Sequence, residues 1–148
     1  MKAFLVIFVI ALAVSTTFAV DESIKKKLSD IFNKCKQENP LTDAEIEQIK
    51  KHSGVPSSPK AKCFAKCVYA EGKTLQNGKY NKQVALAFVD SLHAGKAEEA
   101  KKAKQVIEHC ATKIGLNAGK DECEYAYKIS VCGFNKAKEL GIHAVDWD

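Results

Sequence analysis

Six cysteines constrain this chain more than any other feature. They stand at Cys35, Cys63, Cys67, Cys110, Cys123 and Cys132, separated by 27, 3, 42, 12 and 8 residues. What they do depends on the compartment, and the N-terminus speaks to that. Met1-Lys2 give a positive start, Ala3 to Val14 form an apolar run of 12 residues, and Thr17 and Ala19 are the small residues at −3 and −1 of a cut after Ala19. This is the pattern of a secretory signal peptide. The run is well short of the ~20 residues a spanning helix needs, so stable membrane insertion is not expected. Residues 1-19 are expected to be removed, leaving 148 − 19 = 129 residues as a secreted, extracellular chain. In that oxidising setting an even cysteine count reads as three disulfides, not as a metal site. No metal or cofactor is expected.

The rest of the chain reads as helices. Ile24, Leu28, Ile31, Phe32 and Cys35 share one face of a helix from about Glu22 to Gln37, which Pro40 stops. Thr42-Asp43-Ala44-Glu45 is a capping box, with Leu41 and Ile46 as its hydrophobic staple, and opens a short second helix ending at Gly54. Ser58 caps a third, with Pro59 at its first position and Gly72 at its end. Asn77-Gly78 marks a turn. A fourth helix runs from about Asn81 to His93, a fifth from Ala97 to Ile114 with Gly115 after it, and a sixth from its cap Asp121 to Leu140 and Gly141. Strand signal is almost absent. The expectation is an all-α, compact six-helix domain over 20-148.

Helix geometry narrows the disulfides. Cys63 and Cys67 lie at i, i+4, with Cβ atoms ~5–6 Å apart, too far for a mutual bond. Cys123 and Cys132 are nine residues apart, which places them on opposite sides of the sixth helix. Of the 15 pairings of six cysteines, each exclusion removes 3 and one pairing is in both sets, so about 15 − 3 − 3 + 1 = 10 remain open. Each bridge contributes roughly 2–4 kcal/mol. A shell so stabilised does not need a completely filled core.

The spacing Cys-x27-Cys-x3-Cys-x42-Cys-x12-Cys-x8-Cys, behind a signal peptide on an all-helical chain of this length, resembles the insect odorant-binding protein family, the pheromone and general odorant binders of the six-cysteine group. Cys-x3-Cys followed by Cys-x8-Cys is the most specific element. Lys62 to Tyr69 is similar to that family's third helix, and Asn77-Gly78-Lys79-Tyr80-Asn81 to the loop after it. The resemblance implies the pairing Cys35–Cys67, Cys63–Cys123 and Cys110–Cys132, three interlocked disulfides stapling the helices around an apolar internal cavity. It implies a secreted carrier that binds small hydrophobic molecules, odorants or pheromones, and transports them through aqueous fluid. An olfactory receptor becomes a candidate partner, and a monomer or weak homodimer the expected state. Carriage of endogenous lipids such as fatty acids in a non-olfactory fluid is the alternative.

Candidates for the cavity wall are Val68, Leu75, Val84, Phe88, Leu92, Ile107, Ile114, Tyr127, Val131 and Phe134, against the plainer reading that each is ordinary core. Tyr69, Tyr125, Tyr127 and Ser130 could offer a hydroxyl to an alcohol, aldehyde or ester. In some members of that family the C-terminal segment folds back over the cavity, and Ile142, Val145 and Trp147 are the apolar residues that would do so here; a frayed terminus is the alternative. His143 is a candidate for loosening such a tail near about pH 5–6. A solvated histidine without a role is the simpler account.

Charge and motif content weigh against other classes. All 23 basic residues are Lys, and Arg, the usual reader of phosphates and guanines, is absent. The net charge of +5 falls to +4 without Lys2 and is spread among acidic residues, so nucleic acid is not an expected partner. Neither Gly-x-Ser-x-Gly nor His-Glu-x-x-His occurs, and Glu108-His109-Cys110 is not the Cys-Cys-x-x-His of a secreted phospholipase, so the chain does not read as an enzyme. A membrane-active, saposin-like protein is a remote alternative, since its cysteines begin and end in close pairs.

Overall fold

The structure, a computed structural model, describes residues 21–142. Six helices follow one another: α1 (Glu22–Glu38), α2 (Asp43–Lys50), α3 (Pro59–Glu71), α4 (Lys82–Leu92), α5 (Ala97–Ile114) and α6 (Glu122–Glu139). A two-stranded hairpin, β1 (Leu75–Gln76) and β2 (Lys79–Tyr80), lies between α3 and α4. No described helix is long and apolar enough to cross a membrane.

Local chemistry sets these boundaries. Thr42 Oγ1 accepts from the Glu45 amide at 3.2 Å while Glu45 accepts from the Thr42 amide at 2.9 Å, so the capping box is complete. Ser58, Asn81 and Asp121 each accept from the amide three residues on. The second helix is shorter than its sequence suggests. His52 turns into the left-handed region (φ 48°), and the Ser53 amide reaches back to the Gln48 carbonyl at 3.1 Å. That is a Schellman closure with histidine in the position glycine usually takes. α6 closes the same way through Gly141, whose successor Ile142 donates to the Ala137 carbonyl.

The hairpin answers the Asn77-Gly78 signal. Both residues have positive φ (52° and 70°), as a two-residue type I′ turn requires. Leu75 pairs with Tyr80 and Gln76 with Lys79, so Leu75 and Tyr80 point to the same, buried side. The Tyr80 amide donates to the Leu116 carbonyl at 2.8 Å, and the Ala118 amide to the Gly78 carbonyl at 2.8 Å. The loop before α6 thus holds the hairpin's open edge.

Three disulfides tie the helices in series: Cys35–Cys67 joins α1 to α3, Cys63–Cys123 joins α3 to α6, and Cys110–Cys132 joins α5 to α6. This is the pairing the family resemblance implies. Cys123 and Cys132 do leave α6 in opposite directions. The α3–α6 joint is reinforced by Lys62–Glu124 at 2.6 Å and Lys66–Glu122 at 3.1 Å, half-exposed ion pairs of modest value. The packed interior forms two groups. One holds Leu75, Tyr80, Ala85, Cys110, Tyr125, Ile129 and Cys132; the other holds Cys35, Leu41, Ala61, Phe64 and Cys67. In the second, Phe32 meets Phe64 edge to face at 5.3 Å.

Candidate functional site

Between these two groups the interior is hollow. A cavity of about 280 Å³ is walled by Leu28 and Ile31 of α1, Val68 and Tyr69 of α3, and Thr74 and Tyr80 around the hairpin. Gly72 at the end of α3, Ala85, Phe88 and Val89 of α4, Val106, Ile107 and Cys110 of α5, and Ile129 and Gly133 of α6 also line it. Lys27, an exposed residue, stands at its rim. Five helices therefore contribute, and α2 alone stands apart. On α4 the three wall residues fall at i, i+3, i+4, one helical face. On α6 the two fall at i, i+4, and the glycine leaves the wall thin: a methyl there would come no closer than 3.9 Å to Val106.

The sequence-level wall candidates divide. Val68, Phe88 and Ile107 line the cavity. Leu75, 3 % exposed, lies in the packed group beside the hairpin, and Ile114 packs against that group from α5. Val84 and Leu92 are half-buried on α4 but are not part of the wall. Tyr127 lies on another side of α6, with the Lys62 ammonium 4.7 Å above its ring. Val131 and Phe134 are half-buried off the wall. Ile142 is half-buried at the end of α6. Val145, Trp147 and His143, like the signal segment 1-19 and Val20, lie outside the described residues.

Leu28 and Ile31, which periodicity places on the apolar face of α1, also line the cavity although they are not among the wall candidates, and so do Tyr80, Ala85, Val89, Val106, Ile129 and Gly133. A signal for part of this set was available. Once Cys132 faces α5, Ile129 three residues before it and Gly133 beside it lie toward the interior. Tyr80 carries no such signal, since it follows a turn and belongs to no periodic run.

The wall's polar groups are few and mostly occupied. The Tyr69 and Ser130 hydroxyls are 3.0 Å apart, and Ser130 donates to the Ala126 carbonyl at 2.8 Å. Thr74 donates to the Tyr69 carbonyl at 3.0 Å. Behind the wall, Tyr125 donates to the Gly115 carbonyl at 2.7 Å. Burial pushes the Tyr69 and Tyr80 phenols above their ordinary range and Tyr125 up to about 12, so all three stay protonated at neutral pH. Among the described residues the wall carries no histidine and no carboxylate. No described cluster of histidine, cysteine or acidic side chains could hold a metal ion.

A second, wider depression of about 640 Å³ lies between α4 and α5, rimmed by Asp90, Lys101, Lys104 and Glu108. It is open to solvent, and the Lys104–Asp90 ion pair crosses it. It is a shallow, solvent-open groove bordered by charged side chains, unlike the concave form of a small-molecule site.

Comparison with known proteins gives a consistent result. Residues 18–136 match the model of the PBP/GOBP family. General odorant-binding protein 19d of Drosophila melanogaster is 25% identical over 139 residues, covering 93% of this chain and 90% of its own. Among solved structures, the odorant-binding protein dmelOBP28a from Drosophila melanogaster superposes with a TM-score of 0.66 at 24% identity, over 84% of this chain and 100% of that one. The fatty acid binding protein OBP56a from the oral disk of the blowfly Phormia regina gives a TM-score of 0.59 at 24% identity, over 83% and 98%.

Proposed function

The chain belongs to the PBP/GOBP family, and from that premise we propose that it is a secreted carrier of small hydrophobic molecules of the odorant or pheromone type. The observation that carries this reading is the cavity: about 280 Å³ lined mainly by apolar side chains of five helices, four of them joined by disulfides. Its size is close to the lower end of the ~300–1,000 Å³ of small-molecule sites. An apolar guest leaves water for this space and gains roughly 25 cal/mol for each Å² of apolar surface it hides. Ordering costs take back part of that, so affinities on the order of micromolar are expected.

A fatty acid is the second reading, and Lys27 is the observation that favours it. This cation stands at the cavity rim and has no ion-pair partner among the described residues. A carboxylate at the rim with its chain inside would meet it. In either reading the protein works as a monomer or weak homodimer that can present its cargo to a receptor.

The test uses the oxidised mature protein and a hydrophobic fluorescent reporter, displaced by volatile alcohols, aldehydes and esters and by long-chain fatty acids. Saturable one-site binding displaced by volatiles is the expected result. Displacement by fatty acids alone moves the reading to lipid carriage. No reporter uptake by correctly bridged protein sinks the carrier reading altogether.

A further inference from the structure

All but one of the hydroxyls at the cavity have their protons committed inside the protein. Ser130 gives its hydrogen to the Ala126 carbonyl, so in the Tyr69–Ser130 contact of 3.0 Å it is Tyr69 that donates. Thr74 gives its hydrogen to the Tyr69 carbonyl, and Tyr125 to the Gly115 carbonyl. Tyr80 is the exception. It lines the cavity and is only 8 % exposed, yet its hydroxyl makes no hydrogen bond to any described residue. No buried side-chain nitrogen or oxygen among the described residues lacks a partner, so the unbonded Tyr80 hydroxyl keeps some accessible surface. A free phenol in an otherwise satisfied interior faces the space that is not protein.

Its position is fixed on several sides. The type I′ turn and the Leu75 pairing set its strand, and its amide is held by the Leu116 carbonyl at 2.8 Å. Its ring packs edge to face on Tyr69, with centroids 6.3 Å apart. A donor held this firmly loses little rotamer freedom when a guest arrives, and that favours selectivity.

We infer that Tyr80 is a specificity-determining residue of the cavity, donating a hydrogen bond to an uncharged oxygen acceptor, the carbonyl of a ketone, aldehyde or ester, on an otherwise apolar ligand. This rests on the carrier reading and names the ligand class within it. A hydrocarbon leaves the hydroxyl unpaired. A carboxylate placed at Tyr80 asks one neutral donor to replace its whole hydration shell, which costs far more than the bond returns, whereas a carboxylate at the rim meets Lys27 and leaves Tyr80 unpaired.

The experiment compares wild type with Tyr80→Phe on three ligands of equal chain length: an alkane, its methyl ketone and its carboxylic acid. Displacement of the same reporter at pH 7.4 gives each affinity. The expected result is that Tyr80→Phe weakens the ketone on the order of 10-fold relative to the alkane, because the buried carbonyl loses its donor. Alkane and reporter affinities stay within about twofold, which also shows that the variant is folded. The carbonyl stretch of the bound ketone is expected at lower wavenumber in wild type, and that displacement is lost in the variant. Tyr125→Phe, whose hydroxyl is committed to Gly115 behind the wall, leaves the ketone-to-alkane ratio unchanged. An unchanged ratio in Tyr80→Phe overturns the inference while leaving the carrier reading intact. An acid that outbinds the ketone in wild type overturns the uncharged ligand class. Failure of all three ligands and the reporter to bind wild type refutes the carrier reading itself.

Discussion

Replacing Gly133 by alanine is expected to make the protein more stable, an unusual direction for a change at a half-buried position. Gly133 lies inside α6, with no positive φ, so alanine fits its backbone. A methyl built there meets Val106 at 3.9 Å, an ordinary van der Waals contact, and enters the cavity without a clash. Glycine in a helix interior costs ~0.8–1 kcal/mol relative to alanine. Part of a methyl's burial adds to this, so the expected gain is about 1 kcal/mol. For a chain of this size that corresponds to roughly 3–5 °C in Tm. The assay is denaturant unfolding of the oxidised protein followed by helix circular dichroism, with the midpoint rising at constant slope. In parallel the reporter assay is expected to show a modest loss of affinity for the bulkiest guests, and Gly133→Leu a severe one. A fall in the unfolding midpoint for Gly133→Ala would refute the reasoning, because it would mean the helix or the free space at this point is not as described. A gain in stability together with a loss of large guests would explain the glycine: its cost in helix stability is offset by room in the cavity.

Tyr125→Phe leaves the Gly115 carbonyl without its donor and is expected to destabilise the fold by ~1–3 kcal/mol in the same unfolding assay. Paired replacement of Cys63 and Cys123, which close the longest loop at a separation of 60, should cost more than replacing Cys110 and Cys132 at 22; loop entropy gives about 4 against about 3 kcal/mol, read from the two unfolding midpoints. Tyr69, Tyr80 and Tyr125 resist ionisation in the folded state and ionise freely in the unfolded chain, so their contribution is fully present below about pH 10. It is expected to fall as pH rises toward about 12 for Tyr125 and beyond for Tyr80, with tyrosinate absorbance appearing together with unfolding and not before it. Hydrogen exchange is expected to be faster in α4 than in α3 and α6, since α4 is the cavity-lining helix without a disulfide; equal protection would count against covalent restraint as the cause.

Much of this fold can be read from local chemistry, and the cavity wall much less. Caps, turns and breakers act over three or four residues, so Thr42-Glu45, Ser58-Pro59, Asn77-Gly78 and Asp121 each mark a boundary that the structure keeps. Where the end of a helix depends on backbone geometry that the residue type does not advertise, as at His52, the sequence overruns. The wall is harder for a different reason. Apolar residues occur on several sides of α6, and periodicity does not say which side meets the hollow. Ile129 and Gly133 face it, while Tyr127, Val131 and Phe134 lie around the helix from it. The deciding information is the direction of Cys132, a tertiary constraint. Ala85 and Gly133 escape notice because a cavity wall uses small residues, which carry little hydrophobic signal. Tyr80 escapes because its inward aim comes from strand register and from a carbonyl 36 positions on, at Leu116.

The same features explain how a chain of this size keeps a cavity in its interior. Close packing is the ordinary condition of a protein core, and a lined void forfeits the contacts its walls would otherwise make. Here most of the buried residues form two separate groups, and several large side chains between them, Phe88 among them, keep part of their surface free. What replaces the missing contacts is covalent. The three bridges run α1 to α3 to α6 to α5, so four of the five helices around the cavity are joined in one chain of disulfides. Their effect lies chiefly in restricting the unfolded chain, so it does not require the interior to be filled. The fifth helix, α4, is held by packing and by its Asn81 cap, and it presents Phe88, 36 % exposed, to the cavity. A rigid cross-linked cradle closed by one less restrained wall lets a guest enter without unfolding the rest, whereas a fully bridged shell of the same volume would hold its cavity but exchange its contents slowly.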